Sequence, residues 1–496
     1  MVEEGKPERI TDDQTEYIAG IFREWQKKTT FAGRENIKCC AVGLDEVLAG
    51  GNLRLEANIF NDDARTAARD IDGGKYPAVK FGELADSYMF GRSVKLMREK
   101  SPYPFFQPSS VTDIKPEHDG YLYSRKQSEI DELKIHEGQI LLSRSGAIGN
   151  VTYVSRTLGD KYLSPDMIRI DCHNPEDAGY IYAYLKSHQC QKILQSFAFG
   201  AVIQHINPEH LSDIPVPDAP AEIRRRIHDL IVQSYALRDE SNTMLDEAES
   251  LMVRELGLPP VDDMRPGGEV LAFEASSADF LSSGRFEASY HSPLFGEIVR
   301  HLQDNAGEVL SVGDERVSRD IILPGRFKRV YVSEGYGVPF IGGRSIYELD
   351  PADKKYLSFS QHEDRIRDEL TIHTNIILIT RSGTIGNVAL VPEHWDGWTA
   401  SDDIIRVIPA SDDIAGYVYV WLSSEWGREL MRRYKHGAVI EHIEVEHVGY
   451  VPFPILRDKG IQERINSLAL EANSRRYEAW RLEREAMRIV ESEILR

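Results

Sequence analysis

Two short segments of the chain concentrate groups that could contact phosphate. Ile140 to Val151 reads Ile-Leu-Leu-Ser-Arg-Ser-Gly-Ala-Ile-Gly-Asn-Val, and Ile377 to Val388 reads Ile-Leu-Ile-Thr-Arg-Ser-Gly-Thr-Ile-Gly-Asn-Val. Each sets an Arg-Ser-Gly turn after an apolar run. Arg144, Ser145, Arg381 and Ser382, with backbone N–H groups presented by a glycine turn, are groups that suit phosphate contact. The same composition also makes a turn held by its own packing. Basic residues cluster nearby in sequence: Arg92, Lys95, Arg98 and Lys100 in one half, and Arg326, Lys328 and Arg329 with Arg344 in the other. Two basic segments at equivalent places are what two DNA-facing surfaces need. Gln204 and Glu441 vary inside an otherwise shared Gly-Ala-Val-Ile-x-His-Ile run, a place that could read a base or form a buried turn.

Other chemistry is missing from the sequence. A phosphate-binding P-loop needs a lysine after its glycines, and the glycine turns here run into Asn150 and Asn387 instead. There is no dinucleotide fingerprint, no Asn/Asp-Pro-Pro-aromatic string of an amino-methyltransferase, and no histidine–cysteine cluster with zinc spacing. His205 and His442 recur, as do His136 and His373, but no Ser or Cys motif accompanies them as a catalytic partner. Asp166 and Asp403, near Arg169 and Arg406, read as turn residues in ion pairs. No catalytic residue and no metal ligand is assigned. Arg224, Arg225 and Arg226 open a long helical pattern, where cations oppose the helix dipole, so they read as groups for a partner or a phosphate.

These segments belong to a larger repeat. Arg381 follows Arg144 by 237 positions, and the same offset links Ser164, Asp166, Ile168 and Arg169 to Ser401, Asp403, Ile405 and Arg406. It also links Gly200–Ile206 to Gly437–Ile443 and Pro215-Val-Pro217 to Pro452-Phe-Pro454. Upstream the register drifts: Arg54–Ala57 matches Arg285–Ala288, and Pro104-Phe105 matches Pro339-Phe340. So many collinear matches make the chain two copies of one plan.

Each copy predicts the same elements. Gln139–Leu142 and Asn375–Thr380 are short β-branched runs and read as strands. Residues 178–196 and 415–434 have helical spacing. A proline pair then ends each mixed region. In 220–256 the series Ile223, Ile227, Leu230, Ser234, Leu237, Ser241, Met244, Ala248, Leu251 alternates steps of four and three. In 461–495 the series is Ile461, Ile465, Leu468, Ala472, Arg475, Ala479, Leu482, Ala486, Ile489. Both are coiled-coil seams on rods of about 50 Å. Their small and polar members leave each helix in need of a partner. The fold class is α+β. The expected boundaries are an N-terminal helical extension over 1–39, with one amphipathic helix at 12–28; a mixed domain over 40–218; a long helix over 219–257; a linker over 258–274; a second mixed domain over 275–456; and a second long helix over 457–496.

Composition sets the outer limits. The 496 residues carry a net charge of −21, which argues against non-specific nucleic-acid binding by the whole surface but leaves room for local basic grooves. A hydrophobic fraction of 41 % excludes wholesale disorder. Cys39, Cys40, Cys172 and Cys190 form no C-x-x-C pair and read as reduced thiols of a cytoplasmic protein. No apolar run nears the roughly 20 residues of a membrane span, and the acidic start is no signal peptide.

The Leu-x-Ser/Thr-Arg-Ser-Gly-x-Ile-Gly-x-Val segment, the Gly-x-Val-Ile run, the proline-pair stop and the long helix that follows resemble the specificity subunit of type I restriction–modification systems. The resemblance covers roughly 40–256 and 275–496. It implies that each half is a target recognition domain reading one half-site of double-stranded DNA in the major groove. It implies that the two long helices pack antiparallel as a spacer, and that the site is bipartite. Because the copies differ in segments 60–130 and 300–370, that site would be asymmetric. It implies no catalysis and no cofactor on this chain. S-adenosylmethionine would sit on partner methyltransferase subunits, with a restriction–translocase subunit as a further partner, in a prokaryotic cytoplasm. The acidity and the extra N-terminal segment depart from the family pattern and fit a related anti-phage defence assembly. Two other readings stay open: a scaffold whose recognition domains no longer read DNA, and a nuclease or methyltransferase with unfamiliar motifs.

Overall fold

The computed structural model describes residues 59–90, 95–97, 100–123, 126–200, 204–265, 272–351 and 354–496. The expected helix at 12–28, the rest of the 1–39 extension, Cys39, Cys40, Arg54–Ala57, Arg92 and Arg98 lie outside the described residues.

Among the described residues, the first half holds ten short strands: β1 Ala78–Lys80, β2 Ala85–Tyr88, β3 Lys95–Met97, β4 Pro104–Phe106, β5 Gly120–Tyr123, β6 Ile140–Ser143, β7 Val151–Tyr153, β8 Tyr162–Leu163, β9 Met167–Cys172 and β10 Pro215–Pro217. They form two four-stranded sheets, β2-β9-β6-β7 and β3-β5-β4-β8, and a two-stranded ladder β1-β10. All pairings are antiparallel except β4 with β8. The second half holds β11 Glu308–Ser311, β12 Ser318–Ile322, β13 Tyr331–Val332, β14 Gly337–Ile341, β15 Lys355–Ser358, β16 Ile377–Thr380, β17 Val388–Leu390, β18 Thr399–Ala400, β19 Ile404–Pro409 and β20 Pro452–Ile455. Its sheets are β12-β19-β16-β17, β13-β15-β14-β18 and β11-β20, the same orders in the same sequence. The register repeats as well, with Leu141 opposite Arg169 and Leu378 opposite Arg406.

The central strands are apolar at nearly every position for a physical reason. Side chains alternate across a strand, and here both faces are covered. Ile140 and Leu142 enter one core while Leu141 enters another. Ile377 and Ile379 likewise separate from Leu378. Each half also buries an arginine. Arg169 donates to the Leu163 carbonyl at 3.2 Å, and Arg406 donates to the Ala400 and Ile404 carbonyls at 2.7 and 2.8 Å. Each guanidinium thereby ties one sheet to the edge strand of the other. Burial pushes both down to about 10.

The long helices run Ala221–Leu256 and Lys459–Ile489, the second continuing through a wider turn at Val490–Ile494. Asp458 caps the second helix by accepting from the Gly460 and Ile461 N–H groups. Contacts between the helices run in opposite senses along the chain. Arg226 pairs with Glu485 at 3.4 Å, the Ser234 hydroxyl donates to the Ala479 carbonyl at 2.7 Å, and Arg464 pairs with Glu247 at 3.1 Å. The seam departs from the expected series in its C-terminal part. Arg476 and Glu483 are buried where the series places Arg475 and Leu482. A straight helix drifts from a 3.5-residue repeat, and the helix Ala178–Lys186 of the first half packs beside this pair and takes up Glu483.

Two details go beyond the sequence reading. Residues 178–196 form two helices, Ala178–Lys186 and His188–Ser196, because Ser187 caps the second by accepting from the Cys190 N–H. Ser424 divides Asp412–Ser423 from Glu425–Arg432 in the same way. Arg224, Arg225 and Arg226, read as groups for a partner or a phosphate, already meet acids of this chain. They pair with Asp177 at 3.3 Å, Glu176 at 2.6 Å and Glu485 at 3.4 Å.

Candidate nucleic-acid interface

The Arg-Ser-Gly segments are the turns between β6 and β7 and between β16 and β17. Gly146 and Gly383 take φ values of 73° and 75°, which a side chain would strain. The arginine heads turn inward. Arg144 lies 3.7 Å from Asp166, and Arg381 lies 3.5 Å from Asp403 and also pairs with Glu444. The aspartates therefore pair with Arg144 and Arg381, and not with the neighbouring Arg169 and Arg406. Burial opposes the charge on Arg381, but Glu444 and Asp403 more than offset it and raise its pKa. Ser145 Oγ lies 2.6 Å from His205 Nδ1, a serine–histidine contact between residues 60 positions apart that no local motif marks. Its counterpart Ser382 instead donates to Asp403. Among the described residues no carboxylate pairs with His205, so the ring has no third group of a catalytic triad. In both halves the turn is held against the pinch that precedes the proline pair, with Ile206 N–H on the Arg144 carbonyl and Ile443 N–H on the Arg381 carbonyl.

The second basic segment is built to face outward. Pro324–Arg329 leads into β13, an edge strand. Phe327 packs against the cluster of Phe340, Leu357, Ile366 and Leu370. Arg365 donates to the Gly325 carbonyl at 2.6 Å and lies over the Phe327 ring at 4.7 Å. With Phe327 anchored, the flanking Arg326 and Lys328 are exposed. Neither pairs with an acid among the described residues. Arg329 differs: it pairs with buried Asp402 and lies 5.3 Å from the Phe340 ring. Arg344 also turns away from this segment. It pairs with Asp113 of the first half at 2.7 Å and donates to the Ser109 carbonyl. Burial pushes the Asp113 carboxyl up to about 7, against the pull of Arg344.

Exposed aromatic residues stand on β13, in the turn before β14 and just after β15, positions that the sequence alone does not mark. Tyr336 is 80 % exposed, Tyr331 42 % and Phe359 40 %. Arg365 was missed too, because its role as a brace depends on a contact across 40 residues.

In the first half, Lys95 lies on β3, the corresponding edge strand, in register with Tyr123 of β5. Lys100 pairs with Asp262 at 3.0 Å. Basic residues therefore stand at the same edge of the same sheet in both halves.

Residues 70–247 match the family of the type I restriction modification DNA specificity domain. Over that stretch the chain is similar to the type I specificity domain. The matched stretch spans most of the first half and the greater part of the first long helix. No curated protein sequence matches the chain. Among solved structures, the type I restriction–modification S subunit from M. genitalium is 15 % identical, with 85 % of this chain and 95 % of that chain covered and a TM-score of 0.30. The HsdS subunit from Thermoanaerobacter tengcongensis is 14 % identical, with 86 % and 98 % covered and a TM-score of 0.25. The type IIG restriction endonuclease BpuSI is 11 % identical, with 51 % and 34 % covered and a TM-score of 0.26. Among the described residues no helix is long and apolar enough to cross a membrane.

Proposed function

We propose that the chain is the DNA-specificity subunit of a type I restriction–modification-like defence complex in a prokaryotic cytoplasm. Its two halves are a tandem duplication of one target recognition domain. Each reads one half of a bipartite, asymmetric site, and the antiparallel helix pair is a coiled-coil spacer between them. The chain supplies no catalysis. It recruits methyltransferase subunits that carry S-adenosylmethionine, and a restriction–translocase subunit joins the same assembly. Arg92, Lys95, Arg98, Arg326 and Lys328 contact the DNA backbone, whereas Arg329, Arg344, Arg144, Ser145, Arg381 and Ser382 shape the surfaces beside it.

The observation that carries this reading is the recurrence of a basic segment at the edge strand of the same sheet in both halves. The helix pair adds a dimension. From Arg226 to Glu247 the paired length is about 32 Å at 1.5 Å per residue, close to one turn of B-DNA at about 34 Å.

The test is selection from a random duplex pool by the chain assembled with its methyltransferase subunits. The expected result is an enriched sequence of two different blocks separated by an unspecified gap of fixed length. Recovery of unenriched DNA, or of a single block, would contradict the reading.

A further inference from the structure

The pinch that closes each half is the same backbone with different side chains. In the second half His436 and His442 exchange backbone hydrogen bonds of 3.0 and 2.8 Å. In the first half Phe199 and His205 do the same at 3.0 and 2.7 Å. The residues in equivalent places are Phe199, His205 and Asn207 in one half and His436, His442 and Glu444 in the other. The second half thus has two imidazoles and a carboxylate where the first has one imidazole.

We propose that His436, His442 and Glu444 bind a divalent transition-metal ion of the zinc class. Their ligand atoms lie within 4.8 Å of one another. His442 Nε2 is 3.7 Å and His436 Nε2 4.0 Å from Glu444 Oε1. Zinc bonds of about 2.0–2.1 Å in a tetrahedron hold ligand atoms roughly 3.3 Å apart, so closure needs only small side-chain shifts. Each Nδ1 has a backbone carbonyl beside it. His442 Nδ1 lies 3.2 Å from the Ile440 carbonyl and His436 Nδ1 3.4 Å from the Tyr434 carbonyl. When each Nδ1–H donates to its carbonyl, Nε2 keeps its lone pair, which is the usual outer arrangement of a metal-binding histidine. The carboxylate is supported too, because Arg381 donates to Glu444 Oε1. All three side chains are about one-third exposed, so an ion can enter from solvent.

Three protein ligands leave the fourth position of a zinc ion open to water or to a partner's ligand atom. The bound ion would fix the turn between the two histidines. That turn carries Val439 at 96 % and Ile440 at 63 % exposure.

The experiment uses the full chain without an affinity tag, stripped with a chelator and titrated with Zn²⁺ against a chromophoric competitor. The wild type should take up one more zinc per chain than a His436→Phe/Glu444→Asn variant, which installs the first half's own residues. Affinity at that site should fall at least about tenfold in the variant. His205→Ala should leave the extra zinc in place. Zinc should also raise the unfolding temperature of the wild type and not of the variant, since only a site in the folded state stabilises it. If circular dichroism shows the double variant unfolded, His442→Gln alone replaces it in the same titration. Equal zinc stoichiometry and affinity in the wild type and the folded variant would overturn the proposal.

Discussion

Tyr182 donates a hydrogen bond of 2.6 Å to Glu483, although 301 positions separate them in the sequence. Lys186 reaches the same carboxylate at 2.5 Å, and Arg238 of the first long helix pairs with its other oxygen. One buried carboxylate therefore joins the helix Ala178–Lys186 to both long helices. Burial raises the pKa of Glu483, but Lys186 and Arg238 outweigh it and hold the carboxyl far below the usual range.

Glu483→Ala should destabilise the chain by about 3 kcal/mol, because it leaves two partly buried cations without their shared carboxylate. Urea unfolding followed by tryptophan fluorescence measures it. A carboxyl with a depressed folded pKa adds stability that is complete above its unfolded value of about 4.3 and fades only as pH falls below that. The variant should therefore lose stability throughout the neutral range, with its deficit shrinking in acid.

His394 should make stability fall between about pH 6.5 and 4. It stacks on Trp480 with centroids 4.7 Å apart, and its Nε2 lies 2.8 Å from the Leu349 carbonyl. Burial lowers its pKa to about 4. The unfolded chain takes up the proton near pH 6.5 and the folded chain does not, so acidification favours unfolding over that window. The loss should be on the order of 3 kcal/mol. Unfolding temperatures across the window should slope less in His394→Phe, which keeps an aromatic ring and loses the charge.

Arg326→Glu/Lys328→Glu should weaken DNA binding by the assembled complex. Each lost phosphate contact should lower the slope of log affinity against log salt by about one. Arg329→Glu should act differently, because it leaves Asp402 buried beside a second carboxylate and lowers stability. Fluorescence anisotropy over a salt series, with a thermal melt of each variant, separates the two effects.

Gly416→Val should damage the contact between Asp412–Ser423 and the second long helix. A Cβ there would stand 2.4 Å from the Asn466 carbonyl oxygen, a backbone atom with little room to move. The expected cost is about 1–3 kcal/mol or more, read from the denaturant midpoint. Gly296→Ala, where a Cβ meets nothing within 4 Å, serves as the control.

The offset of 237 residues and the apolar runs of β6 and β16 were legible in the sequence because they depend on local pattern. The ends of the first long helix were legible for the same reason, with Pro220 before it and Gly257 after it. Other features depend on distant partners. Arg224–Arg226 read as free from the sequence, whereas the fold places Glu176, Asp177 and Glu485 beside them. Arg344 reads as a member of a basic cluster, yet its acid is Asp113 in the other half. Arg169 and Arg406 carry no sequence sign of burial, since the carbonyls that accept from them come from loops and edge strands. At the candidate surface, charge alone picked out Arg326 and Lys328, but Arg329 beside them is neutralised by a carboxylate 73 positions later.

The most direct test of the central claim is methylome sequencing of cells carrying the chain and its methyltransferase, with and without the chain. The expected result is an interrupted, asymmetric methylated motif that disappears when the chain is deleted. An unchanged methylome in the presence of a competent methyltransferase would contradict the specificity role.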